Sequence, residues 1–312
     1  MGFVSLLFSE PFFVVLLGGT LTASTPIILA AIGEDLVESG GILNLGLEGM
    51  MLLGAFCSFI AALITENIYL GLLAGMAAGV VLGLFFGYLV ITLKINQIVA
   101  GLGIEIFVVG FTSLLHRVFF GREFPVVPDI TGKTAIPFLS TLPYVNSIFN
   151  QHLITYISWA LLPIAWWVLY KTNFGLNVRA VGENPVAADA HGVNVYRTRY
   201  MTLVVEGVLA GLGGAFLAIA DLAFFVFHMT QGRGFIAIAI VMLAKWNPSK
   251  LFYGAFLFGI CHSLTFGLQI LGLDVPREFI LMLPYVAVIL LLCILARNTK
   301  LPGAFCIPYE RE

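Results

Sequence analysis

Nine apolar stretches, most of them close to twenty residues long, dominate this chain. They fall at 12–32, 43–64, 68–93, 96–116, 153–170, 200–220, 232–246, 251–272 and 279–296. A helix of about twenty residues matches the roughly 30 Å hydrocarbon core of a bilayer. Backbone placed there has to satisfy its own polar groups. The pattern predicts an all-α fold, a polytopic helical bundle forming one transmembrane domain over 1–312, with some segments short or broken. Unbroken runs of this length exclude the alternating ten-residue strands of a transmembrane barrel. Charge usage agrees: 10% of the 312 residues are charged, where a soluble domain has about 25%. The net charge of −2 offers no electrostatic basis for nucleic-acid binding.

Basic residues orient the bundle. With 171–199 on the cytoplasmic side and every segment crossing once, ten Lys and Arg lie inside. The other five, Arg117, Arg122, Lys133, Arg233 and Arg277, lie outside. The positive-inside rule favours that arrangement, with the C-terminus cytoplasmic. It makes 33–42, with Glu34, Asp35 and Glu38, an inner loop. It also makes 117–152, with Pro125, Pro128, Pro137, Pro143 and Asp129, an outer loop, read as a semi-ordered cap or a plain connection. Cys57, Cys261, Cys293 and Cys306 have neither metal nor redox spacing, and His116, His228 and His262 are too scattered for a metal site. No catalytic constellation is present. No glycine-rich loop ends in Lys-Ser or Lys-Thr, so any ATP that drives this chain is hydrolysed on another one.

Within 171–199 lies a compact helix signature. Asn184 serves as N-cap and Pro185 takes the first helical position. Val186, Ala187, Ala188 and Ala190 propagate about two turns, and Gly192 ends them. A helix this small buries no core of its own and suits a knob seated in another protein's groove. Segment 68–93 carries Gly71, Gly75, Gly79, Gly83 and Gly87 on one face, which lets a neighbouring backbone approach closely.

Two glycine-opened breaks, 39–49 and 231–239, lead into apolar helices and predict free helix N-termini inside the bundle. Polar residues in apolar surroundings are candidates for a translocation pathway: Asn44, Glu48, Asn96, Gln97, Glu105, Gln231 and Arg233, with Phe235 beside them. Asn44 and Glu48 are expected on one helical face, pointing into one cavity. Glu206 is expected to pair with a basic residue near the inner end. The bland alternatives are a capping carboxylate at Glu48 and interfacial amides at Asn96 and Gln97.

These stretches carry a resemblance. Gly182 to Ala188 followed by Gly192-Val193-Asn194 is similar to the coupling segment of ABC-importer permeases of the simple-sugar and nucleoside type. Ser39 to Gly54, Ile95 to Gly101, and Gly232 to Ala239 with Trp246-Asn247-Pro248 resemble further stretches of the nucleoside-type permeases. The resemblance runs from about residue 25 to 296, with departures at Glu105 and Lys245. It implies a non-catalytic membrane subunit in a bacterial plasma membrane that binds no cofactor, with ATP and Mg²⁺ held by a partner ATPase. Glu183, Asn184, Pro185, Ala187, Ala188, His191 and Gly192 would contact that ATPase. It also implies a second, related permease and an extracytoplasmic solute-binding protein. The expected solute is a nucleoside, then a pentose or hexose; branched-chain amino acids and riboflavin-like compounds are carried by related permeases. The competing reading is an ion-coupled secondary transporter with Glu48, Glu105 and Glu206 as its relay. It leaves the capped 184–192 helix without a role.

Overall fold

The computed structural model describes residues 10–127, 132–137, 140, 144–270, 277–295 and 300–311. Pro128, Asp129, Pro143 and Arg297 lie outside the described residues, as does the side chain of Arg277. The helices are α1 Glu10–Ser39, α2 Leu47–Thr65, α3 Ile68–Gly87, α4 Gln97–Phe120, α5 Leu153–Lys171 and α6 Asn173–Glu183. After them come α7 Pro185–Ala190, α8 Val195–Ala215, α9 Arg233–Ala244, α10 Pro248–Ile270 and α11 Arg277–Leu295. Wide turns extend α3 to Thr92 and α8 to Asp221. Among the described residues, six helices are long and apolar enough to cross a membrane. At twelve residues, about 18 Å by the helical rise, α9 is too short to do so.

Asparagines set many of the starts, because a short amide reaches back to the unpaired N–H groups of a first turn. Asn67, Asn96, Asn184 and Asn194 cap α3, α4, α7 and α8 in this way. Outside the helices, Thr134–Ala135 (β1) pairs antiparallel with Asn150–Gln151 (β2) in the segment joining α4 to α5.

The bundle is organised on α8, which packs against α1, α2 and α3. Its contact with α3 is built from glycines on both sides. A Cβ on Gly79 would run into the Gly207 carbonyl, and one on Gly207 into the carbonyl of Gly79. A turn away, a Cβ on Gly211 would run into the Gly75 carbonyl, while Gly75 itself lies against Gly54 of α2 and Ala215 of α8; Gly83 faces the Leu203 carbonyl, and Gly87 faces Leu203 and Tyr200. Gly71 instead packs on Ser58 and Ala62 of α2. Backbones this close trade side-chain volume for dispersion contact, the usual driving force where lipid is the solvent.

Three expectations are corrected here. Residues 33–39 are helical, because nothing between Pro26 and the pair Gly40 and Gly41 breaks the ladder; Glu34, Asp35 and Glu38 are buried on that helix rather than in a loop. The 43–64 segment starts its helix only at Leu47, after a buried turn at 40–46. The polar stretch 171–199 contains two helices, since α6 precedes α7.

Candidate functional site

At one end of the bundle the chain presents α7. The Asn184 Oδ1 accepts from the Ala187 N–H at 3.0 Å, Pro185 opens the helix, and Gly192 leaves it with φ +87°. His191 Nδ1 lies 2.8 Å from the Ala187 carbonyl oxygen and closes the last turn. Glu183, Asn184, Val186, Ala187 and His191 are exposed. Ala188 is not: it packs on Val181, Val195 and Tyr309. It is thus the seat of α7 on its own molecule rather than a contact for another, a correction that follows from the helical period placing 188 opposite 186.

The C-terminal segment 300–311 straps this end. Ala304 N–H donates to the Gly182 carbonyl (2.8 Å) and Cys306 N–H to the Gly41 carbonyl (3.0 Å). Gly303 N–H reaches Glu183 at 3.3 Å, which occupies one oxygen of a residue expected to face a partner. Arg199, buried, bridges the Gly40 and Ile307 carbonyls. Both side-chain ion pairs among the described residues involve the strap: Lys94–Glu310 at 2.6 Å and Arg311–Asp189 at 3.0 Å. Sequence reasoning missed this segment because an aperiodic tail carries no pattern to read. Tyr309, packed on Tyr196, was its one recoverable signal.

Deeper in, the two glycine-opened breaks meet. The fully buried Glu48 carboxylate accepts from the Gly232 N–H through Oε1 (2.7 Å) and from the Gly234 N–H through Oε2 (2.6 Å). A charged acceptor on two amides at a helix N-terminus is a strong, directional pairing. The N–H groups expected to be free at this break are therefore taken. Gly234 has to be glycine, since a Cβ there would collide with the Glu48 backbone. Asn44 does not share a face with Glu48, because it precedes the helix. Its Nδ2 donates to Glu206 Oε2 (2.9 Å), and its backbone N–H donates to Glu34 Oε1 (3.1 Å). Glu206 thus pairs with an amide rather than with a basic residue.

Glu34, Asp35, Glu38 and Glu206 are fully buried, and no ion pair reaches them among the described residues. Trp246 Nε1 donates to Glu38 at 2.7 Å. Together with Glu48, this bond anchors both ends of the short α9.

The remaining candidates are spread out. Asn96 is exposed and caps α4, while the buried Gln97 accepts from the Leu43 N–H at 2.9 Å, fixing the 40–46 turn. Glu105 is half-buried on α4, where its backbone packs on Gly49. Gln231 is exposed and its carbonyl accepts from the Tyr285 hydroxyl (2.9 Å). Phe235 packs half-buried against the core. Arg233 is buried and turns toward the end of the bundle away from α7. The structure therefore brings Glu48 together with the 232–234 break, sets Gln97 against the 40–46 turn and Glu105 beside Gly49, and leaves Asn96 exposed at the start of α4.

Residues 16–295 match the family model described as branched-chain amino acid transport system / permease component. A guanosine ABC transporter permease of Bacillus subtilis strain 168 is 35% identical, covering 95% of this chain and 96% of its own length. A nucleoside ABC transporter permease of Lactococcus lactis subsp. cremoris is 34% identical over 96% of this chain and 97% of its own. A putative glucose ABC transporter permease of Haloferax volcanii is 38% identical over 83% and 79% respectively.

Proposed function

This chain belongs to the family of branched-chain amino acid transport system permease components, and from that premise we propose that it imports nucleosides, or failing those simple sugars, as one subunit of an ATP-driven transporter. The relatives named for guanosine, nucleosides and glucose support that solute class. The chain itself catalyses nothing and holds no cofactor; ATP and Mg²⁺ belong to a partner ATPase. A second, related permease completes the membrane core, and a binding protein delivers solute from outside. We place the whole in a bacterial plasma membrane with the C-terminus and α7 in the cytoplasm.

One observation carries the coupling role. Helix α7 is capped at both ends and fixed through Ala188, yet offers Val186, Ala187 and His191 outward. Closure of the ATPase would load this knob. The load would pass through α6, whose Gly182 lies directly against the Ser39 carbonyl, to the end of α1. From there the Asn44 bonds to Glu34 and Glu206 reach α8, and Trp246–Glu38 and Glu48 hold α9.

The test is reconstitution in vesicles with the ATPase and the binding protein, comparing uptake of labelled guanosine and glucose. Cysteines at Asn184 and His191 are expected to cross-link to the ATPase. Uptake driven by an ion gradient in the absence of the ATPase would establish the ion-coupled alternative and end this reading.

A further inference from the structure

At the end of the bundle away from α7, a pocket of about 520 Å³ opens between the first third of α1, the 146–151 turn, the end of α8 and the start of α9. That size lies within the range of about 300–1,000 Å³ usual for small-molecule sites. Its floor is Arg233, which is only 8% exposed. Arg233 Nη1 donates to the Met229 and Thr230 carbonyls at 3.0 and 3.3 Å, while its Nε has no partner among the described residues. On the facing wall, Ser147 Oγ and Asn146 Oδ1 are also buried without partners among the described residues. Three orphaned polar atoms around one cavity are unusual, because native interiors pair nearly all of them.

The wall is also built to hold its shape. Gln151 ties the turn to α1, its Nε2 donating to the Ser147 carbonyl (2.8 Å) and its Oε1 accepting from the Thr22 hydroxyl (3.1 Å). Glu48 pins the amides on either side of Arg233. Asp221, the last residue of the wide turn that ends α8, faces the pocket within electrostatic reach of Arg233 and Lys133.

We propose that this pocket is a solute-binding station inside the chain itself, selective for a neutral, hydroxyl-rich molecule of nucleoside or monosaccharide size. The proposal deepens the transport reading and rests on it for the direction of travel. A hydroxyl both gives and takes a hydrogen bond, which suits a wall holding a guanidinium N–H, an amide and a serine hydroxyl. Asp221 offsets the buried Arg233, and Lys133 is exposed and screened by solvent, so an anionic solute gains little there. Val14 and Leu217 supply apolar surface for a ring face.

The test uses the purified complex of this chain with its ATPase, without the binding protein. Equilibrium binding is measured for tritiated guanosine, ribose, glucose and ribose 5-phosphate. Saturable binding of a neutral probe is expected, at least about tenfold weaker in Arg233→Gln and Asp221→Asn. Ser147→Ala, a small deletion that keeps the fold, is expected to weaken it as well. Thermal unfolding of each variant confirms that the fold is retained. No binding of any probe up to its solubility limit overturns the proposal, as does binding unchanged in all three folded variants. Tighter binding of ribose 5-phosphate than of ribose also overturns it. Guanosine uptake by the complete transporter is scored separately and judges the functional reading alone.

Discussion

At the scale of single residues, burial decides what a polar or small side chain does. Glu48 lies in an apolar setting but is spent on two amides, so it is an anchor as well as a charge. Glu48→Ala strands both N–H groups and is expected to lower stability by about 2–6 kcal/mol, since each unmet buried donor costs about 1–3 kcal/mol. Glu48→Gln, keeping one acceptor, is expected to lose less; thermal unfolding in detergent measures both. Ala188 makes a second case. Buried at the seat of α7, Ala188→Glu forces a charge against Val181, Val195 and Tyr309 and is expected to destabilise by several kcal/mol in the same assay. The Asn184 cap, Pro185 and the Gly192 stop were legible because their chemistry is local. The partner of Glu48 lies 184 residues away in sequence, and no spacing rule reaches that far.

At the scale of elements, close backbone packing and the strap matter most. In α3, Gly79→Val is expected to prevent α8 from seating and to abolish folded expression, because the new side chain meets backbone rather than a movable side chain. Gly103→Ala in α4 has open space around it and is expected to be neutral, or more stable by up to about 1 kcal/mol. Size-exclusion profiles and melting of the two variants check the contrast. The five-glycine stripe was readable from its period; that it packs on α2 at its start and on α8 from Gly79 onward was not.

For the strap, the Lys94 ammonium holds the exposed Glu310 carboxyl below the usual glutamate range through a hydrogen bond and its charge. A lowered folded-state value means the pair's contribution is full above the ordinary glutamate range. It fades as pH falls through the lowered value. Protection of the 304–311 amides from hydrogen exchange, corrected for the intrinsic pH dependence of exchange, is expected to fall below the ordinary range and with added salt, which screens exposed charges. Unchanged exchange over that span would mean the strap is held by its backbone bonds alone.

At the scale of the whole molecule, the arrangement separates folding from the coupling proposed for α7. Ala187 is exposed while its neighbour Ala188 is not, so Ala187→Glu is expected to melt like the wild type yet lose ATPase association and uptake. Co-purification of the ATPase with the variant is the readout, and undiminished association would remove α7 from the coupling route.

Composition and the length of the apolar runs by themselves determined that this chain is a helical membrane protein, because a bilayer accepts little else and the requirement is met residue by residue. Local chemistry likewise determined the α7 helix and its caps. Only the tertiary structure decided that Glu34, Asp35 and Glu38 are interior, that two distant breaks share one carboxylate, and that the tail locks the α7 end. Each of those depends on which surfaces meet in three dimensions, and contact between segments a hundred or more residues apart leaves no periodic trace in either one.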